Sequence, residues 1–369
     1  MKVLLICTTT NQIVNFRKGL IERLQEVGCE VGAVAFDDEN TEINRDEIAR
    51  RGVKFFTVND TGRGLNPFKA ASLKRRYAKI IKEFAPDTVF TFMMKPNIFG
   101  VRAARACGVT NIFSMVEGAG DVFINNGLKW RLIRAVACRM YRRSFSKARK
   151  VFFLNADDMA EFTGRKLVNK DKCAISDGIG VDLSRFGQKP VENADRFLMI
   201  ARMLKSKGVT EYCRAAREVR KSYPNAMFDY VGEEGTVKLS DIQEYIDDGS
   251  IVYHGVTRDV RPYLEACGVY VLPSYREGMP MSVMEAEATG RAVITTSAVG
   301  CRSAVEDGVN GFTVSVGDSG ALAAAMMRFL EKPELVAAMG EASRALAERR
   351  FDKDIINKKL VDAVLEEVS

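Results

Sequence analysis

The stretch Ser274-Tyr-Arg-Glu-Gly-Met-Pro-Met-Ser-Val-Met-Glu-Ala-Glu-Ala-Thr-Gly290 holds two carboxylates, Glu277 and Glu285, around a turn and a helix start. Gly278 frees the backbone, and Pro280 stands where a first helical residue needs no N–H partner. The start of a helix offers unpaired N–H groups and the positive end of its dipole, which favour an anion such as a diphosphate. Carboxylates beside that anion accept strong hydrogen bonds from sugar hydroxyls. The combination suits a nucleotide sugar, with Glu277, Gly278, Met279, Pro280, Met281, Ser282 and Glu285 on the donor side. A second set, Ala201-Arg-Met-Leu-Lys-Ser-Lys-Gly208, supplies the missing positive charge. Arg202 presents a fork of donors and Lys207 a point charge, both suited to a diphosphate, while Lys205 reads as solvated.

These residues need a sheet edge to hold them. Gly268–Pro273 is short, apolar and rich in β-branched and aromatic residues, so it reads as a buried strand. The helix from Met281 turns Val283, Met284 and Ala288 inward, Gly290 ends it, and Ala292–Thr296 is the next strand. The same alternation fills the chain. In the first half, strands at Val3–Ile6, Val31–Phe36, Val53–Val58, Thr88–Phe92, Thr110–Ser114 and Val151–Leu154 alternate with helical stretches, including Phe16–Val27, Ile98–Ala106 and Leu128–Ser146. The pattern predicts an α/β fold of two Rossmann-like, doubly wound parallel-sheet domains. Glycines and Pro190 break the periodicity across Asp177–Asn193, giving domains at 1–183 and 184–352, with a final helix at 353–369 expected to pack back toward the first domain.

Composition narrows the function. At 369 residues, with 47% hydrophobic content, the chain is long enough for two cores. No apolar run reaches the ~20 residues that span a bilayer, and Lys2–Cys7 reads as a strand rather than a signal peptide. The eight cysteines contain no C-x-x-C pair, which points to free thiols in a reducing cytoplasm and argues against zinc. The single histidine, His254, leaves little room for His-rich metal sites or a Ser-His-Asp triad. Asp352-x-Asp354 reads as helix capping, so no metal site is expected. Residues 1–185 carry 32 Lys and Arg against 20 Asp and Glu, a net charge of +12, and the remainder nets −5. The basic half calls for an anionic partner such as a lipid surface, a lipid-linked diphosphate or nucleic acid.

The loop Thr8–Gln12 lacks G-x-G-x-x-G, which argues against an NAD-type site, and Asn15 reads as a cap for the helix that follows. Met94-Lys-Pro-Asn97, with Asn97 as a helix cap, and Val116-Glu-Gly-Ala-Gly-Asp121 lie at strand ends on the same edge; each reads either as a ligand loop or as turn chemistry. Leu128–Val151 has nine Lys and Arg and no acid, interleaved with Trp130, Leu132, Ile133, Val136, Met140 and Phe145. Such a helix can lie on anionic lipid or simply pack by its apolar face.

Assembled, these residues resemble the family 4 glycosyltransferases, which have the GT-B fold of two Rossmann-like domains around a central cleft. The carriers are Glu277-Gly-x-Pro-x4-Glu285, Arg202 with Lys207-Gly208, Leu272-Pro-Ser-Tyr-Arg-Glu-Gly278 and Gly178-x-Gly-Val-Asp182. The resemblance implies that Glu277 binds donor-sugar hydroxyls, Glu285 the ribose, and Arg202 with Lys207 the diphosphate, so that Arg202, Lys207 and Glu277 carry catalysis. It also implies retention by front-face attack, without metal or cofactor.

Asn15-Phe-Arg17, Leu65-Asn-Pro-Phe68, Val116-Glu-Gly-x-Gly120 and Tyr270-Val-Leu-Pro-Ser-Tyr275 look like a narrower group, the bacterial diacetylbacillosaminyl-diphospho-undecaprenol α-1,3-N-acetylgalactosaminyltransferases of N-glycan assembly. That group implies UDP-GalNAc as donor and a polyprenyl-diphosphate-linked saccharide as acceptor. It also implies peripheral placement on the cytoplasmic membrane face against anionic lipid, with no nucleic-acid partner. The acceptor side would then be the first domain, through Asn15, Arg17, Lys95, Asn97, Glu117, Gly118, Gly120 and Asp121. Many family 4 enzymes place a histidine in the first-domain loop near the donor sugar, whereas here that region holds Glu117 and Asp121 and the only histidine is in the second domain. His254 is expected to line the base pocket or to end its strand. A UDP-sugar 2-epimerase of the same fold and a non-enzymatic sugar-nucleotide-binding regulator are the alternative readings.

Overall fold

The structure, a computed structural model, describes residues 1–59, 67–124 and 127–366; Leu65 and Asn66 of the Leu65–Phe68 motif lie outside them. The chain forms two compact units, Met1–Ile179 with Asp354–Ser369, and Gly180–Lys353.

The first unit is built on β1 (Lys2–Ile6), β2 (Glu30–Phe36), β3 (Lys54–Val58), β4 (Thr88–Phe92), β5 (Asn111–Val116), β6 (Lys150–Phe153) and β7 (Cys173–Ile175). They form one sheet in the order β3-β2-β1-β4-β5-β6-β7, every pair parallel. Helices cover both faces of a parallel sheet, so its central strands are buried on both sides, and all five residues of β4 are buried, Thr88 and Thr91 included. Phe90 stacks on Phe92 at 4.6 Å and lies against Phe113 and Phe152. Across the unit Tyr141, Phe145 and Phe153 close around Phe162. Each ring withdrawn from water stabilises the unit by roughly 1.5–3 kcal/mol.

The second unit holds β8 (Arg196–Ile200), β9 (Met227–Val231), β10 (Val252–Tyr253), β11 (Val269–Leu272), β12 (Ala292–Thr296) and β13 (Gly311–Val314). Its order is β10-β9-β8-β11-β12-β13, again parallel. In each sheet the strand order reverses at one place, between β1 and β4 and between β8 and β11. Loops leaving such strands diverge and open a crevice at the carboxyl edge, where ligands of doubly wound sheets sit.

Several local expectations are corrected. The helix expected near Phe16–Val27 forms as Lys18–Glu26, and an unexpected helical segment precedes it from Gln12, where Gln12 Oε1 accepts from the Thr8 amide at 2.9 Å and the Thr8 hydroxyl at 2.8 Å directly after β1. That segment, Gln12–Phe16, is a π-helix closed by the Arg17 amide on Gln12 O at 3.0 Å; the extra residue per turn swings Arg17 inward. Asn15 therefore lies inside a turn and caps nothing. Asn97 likewise sits inside the π-helix Pro96–Gly100. The short strand β7 has no sequence signal. The Leu183/Ser184 boundary falls inside the second unit, because Val181 bridges Asp352 and Lys353 Nζ reaches Asp182 Oδ2 at 2.6 Å. The final helix, Lys353–Leu365, belongs with the first unit from Asp354 onward, and its Lys359 donates to Ile175 O. Among the described residues no helix is long and apolar enough to cross a membrane, and all eight cysteines are free thiols.

Candidate active site

The loops leaving β8 and β11 are pinned to one another. The Tyr275 amide donates to Ser206 O at 2.8 Å, and Gly208, at φ +73°, lies so close to the Pro273 carbonyl that a Cβ would collide with it. Lys205–Lys207 forms one 3₁₀ turn that delivers Lys207 into the crevice. Its Nζ donates to Glu277 Oε1 at 2.5 Å. Lys207 is 27% exposed and Glu277 12%, so the pair is largely withdrawn from water while still open to a ligand. Glu277 is held from behind. Its amide donates to Val299 O at 2.9 Å, and Gly300, at φ +79°, leaves no room for a side chain against the Glu277 carbonyl.

Helix Met281–Ala288 starts beside this pair. Pro280 is its N-cap, one position earlier than expected, and Pro280 O takes the amides of Val283 and Met284. The first N–H groups, at Met281 and Ser282, thus lie at the open end of the helix dipole. Gly278 and Met279 complete the turn, with Met279 buried. The Tyr270 hydroxyl donates to Ile200 O at 3.0 Å, tying β11 to the end of β8 beneath the site. One turn on, Glu285 is partly buried; loss of solvent pushes its carboxyl up to about 7, against the opposing pull of Arg185. Glu287, on the buried face, receives Asn310 Nδ2 at 2.8 Å and is held far above the usual carboxylate range by burial.

Arg202 does not join the Lys207–Glu277 pair. It is 65% exposed and pairs loosely with the equally exposed Glu233 at 3.9 Å, an interaction of about 0–1 kcal/mol that leaves the guanidinium free to turn to a ligand. His254 gives Nε2 to the buried Asp229 at 2.5 Å, and Arg196 grips the same carboxylate at 2.5 and 3.2 Å. Its ring rests against Tyr263. The strand end therefore fixes the imidazole, and only Nδ1 remains for a ligand. A cavity of about 460 Å³ lined by Arg214, Arg217, Glu218, Tyr245, Ser319 and Gly320 shares no residue with this site.

In the first unit the expected acceptor residues separate. Asn97 is fully buried, its amide spent between the Thr91 hydroxyl at 2.7 Å and Met115 O at 2.8 Å, so it holds β4 to β5 and presents nothing to a ligand. Asn15 is exposed, and Lys95 lies 5.4 Å over the Phe36 ring. Arg17 is buried in an ion pair with Glu117, which opens the loop containing Gly118 and Gly120. Asp121 starts the helix Asp121–Ile124. The contacts missed by sequence are those made between strand ends and loops: Tyr275 to Ser206, Glu277 to Val299, and Asp229 beneath His254. None of these pairs is close in sequence.

Residues 2–155 match the family described as "Glycosyl transferase 4-like", and residues 194–332 match "Glycosyl transferases group 1". Over 375 aligned residues, 96% of this chain and 97% of the relative, the sequence is 30% identical to the N,N'-diacetylbacillosaminyl-diphospho-undecaprenol alpha-1,3-N-acetylgalactosaminyltransferase of Campylobacter jejuni. The chain belongs to the group 1, family 4-like glycosyltransferases. This glycosyltransferase is also 25% identical to the UDP-Gal:alpha-D-GlcNAc-diphosphoundecaprenol alpha-1,3-galactosyltransferase of Escherichia coli, over 75% of this chain and 74% of that one. Its fold matches Anabaena HepE, solved in complex with UDP, with a TM-score of 0.78 at 16% identity, covering 99% of this chain and all of that one. The fold is GT-B.

Proposed function

We propose that this glycosyltransferase moves N-acetylgalactosamine from UDP-GalNAc onto a polyprenyl-diphosphate-linked saccharide, with retention of configuration, at the cytoplasmic face of the membrane. The observation that carries the reading is the likeness to the Campylobacter jejuni transferase, sustained over 96% of the chain. The site supports it. In this reading Lys207, Arg202 and the N-terminus of helix Met281–Ala288 take up the charge on the departing UDP, Glu277 and Glu285 hold hydroxyls of hexose and ribose, and the acceptor hydroxyl gives its proton to the leaving diphosphate oxygen. Catalysis is electrostatic and positional, and neither a protein nucleophile nor a metal is called for.

The basic helix supports the membrane placement. Its carboxyl half packs inward through Ala137, Tyr141, Ser144 and Phe145, while Leu128, Leu132 and Val136, four residues apart, are 73%, 64% and 51% exposed. Lys129, Arg131, Arg139 and Arg143 are exposed along the same helix. Arg134 and Arg142 instead bond the unit's own carbonyls, at Val122 and Lys166, each at 2.8 Å. Apolar side chains to enter the lipid boundary and cations to meet anionic headgroups make an interfacial face. The test offers UDP-GalNAc, UDP-Gal, UDP-GlcNAc and UDP-Glc in competition with a polyprenyl-diphosphate saccharide, and reads the product by NMR. A new α-linked N-acetylgalactosamine is expected; a β linkage refutes retention, and preference for another hexose refutes the donor.

A further inference from the structure

A cation and a carboxylate also meet where the first sheet reverses its strand order. Arg17, 2% exposed, lies over the carboxyl ends of three strands. Its guanidinium stacks 4.1 Å from the ring of Phe92 at the end of β4 and ion-pairs with Glu117 just past β5, with the Cys7 thiol, just past β1, close enough to feel its charge. Burial lowers Arg17 only to about 10 and raises Cys7 to about 11, so at neutral pH the guanidinium is charged and the thiol is not. Glu117 Oε1 is buried against Arg17. Its Oε2 is neither buried nor claimed by another described residue, and the side chain keeps 12% of its surface. Gly118 and Gly120 follow at φ +133° and +71°, and beside Gly120 there is open space.

A buried ion pair is a weak stabiliser, and apolar residues of the same volume serve a fold as well or better. Stability alone therefore does not explain a pair at the crevice edge. What the pair does provide is a carboxylate with one oxygen locked and the other free, charged and fixed in direction. Lys207 does the same for Glu277 in the second unit. A carboxylate repels a diphosphate and suits a neutral, hydroxyl-bearing ligand.

We infer that Glu117 positions the acceptor sugar, Oε2 accepting a hydrogen bond from one of its hydroxyls, and that Arg17 is a positioning residue acting through Glu117. This rests on the reading of the chain as a transferase to a lipid-diphosphate-linked saccharide. The test is steady-state kinetics with UDP-GalNAc and a soluble polyprenyl-diphosphate saccharide, alongside UDP binding by calorimetry. Glu117→Gln should raise the acceptor KM about 10- to 100-fold, the loss of a hydrogen bond to a charged group, with the UDP Kd and donor KM unchanged. Because Glu117→Gln strands the Arg17 charge, the double variant Arg17→Met with Glu117→Leu provides a second test; it should fold, bind UDP and show the same raised acceptor KM. An unchanged acceptor KM in either variant that binds UDP, or a rise in donor KM instead, overturns the inference alone. Wild-type protein inactive toward every acceptor overturns the underlying reading and the inference with it.

Discussion

Glu285→Gln isolates one consequence of the donor site's burial. The wild-type carboxyl is raised from 4.5 to about 7 by loss of solvent. Below pH 4 the group is protonated folded or unfolded and contributes nothing to the pH dependence. Between 4.5 and 7 the unfolded chain gives up the proton while the folded one keeps it, so stability falls as pH rises; above 7 the difference is constant. One pKa unit corresponds to about 1.4 kcal/mol, so the span amounts to at most about 3 kcal/mol. Glutamine does not titrate. The stability of wild type relative to Glu285→Gln should therefore fall by about 3 kcal/mol from pH 4 to pH 8, a movement of ~6–12 °C in relative melting temperature for a domain of this size. Differential scanning calorimetry of both proteins across that range measures it. Parallel melting curves at every pH would refute the claim that Glu285 is desolvated, and a relative rise in wild-type stability with pH would reverse its sign. UDP should also bind the wild type more tightly at pH 8 than at pH 6, since a ribose hydroxyl bonds better to the carboxylate, and Glu285→Gln should lose that dependence.

Three further outcomes follow from the same geometry. Arg202→Ala and Lys207→Ala should each lower kcat by ~10²–10³ with melting temperature little changed, as loss of one donor to the leaving group does; near-normal transfer by either variant would remove that residue from the site. Glu287→Gln should gain stability relative to wild type as pH rises, by up to about 1.4 kcal/mol per unit, because burial keeps the Glu287 carboxyl protonated; a constant difference at all pH values would contradict it. Replacing Leu128 and Leu132 with Asp and Arg131, Arg139 and Arg143 with Glu should abolish co-sedimentation with vesicles containing anionic phosphatidylglycerol. Unchanged sedimentation would leave the helix as ordinary surface.

The sheets were legible in the sequence because a parallel strand buried on both faces is an unbroken apolar run, as in Val3–Ile6 and Val269–Leu272. The crevice of the second unit was legible for a related reason. Glycine and proline punctuate the turns after β8 and β11, and the charged residues lie within a few positions of strand ends. What escaped was long-range or depended on local helix geometry. Gln12 reaching back to Thr8 starts a π-turn that rotates Arg17 into the core, and nothing in the 3.6-residue period announces it. Asn97 has the residue type of a helix cap, yet its partners, Thr91 and the Met115 carbonyl, come from two different strands. His254 looked available because Asp229, which holds its Nε2, sits 25 positions away on β9.

The proposed reaction is transfer of a sugar to a lipid-linked acceptor. The most direct measurement incubates purified protein with UDP-GalNAc, with and without a polyprenyl-diphosphate saccharide, and follows UDP and the glycolipid together. Release of UDP that requires the acceptor and matches, mole for mole, a glycolipid longer by one N-acetylhexosamine is the predicted result. UDP-sugar converted to an epimer without acceptor, or bound with no product at all, would contradict it.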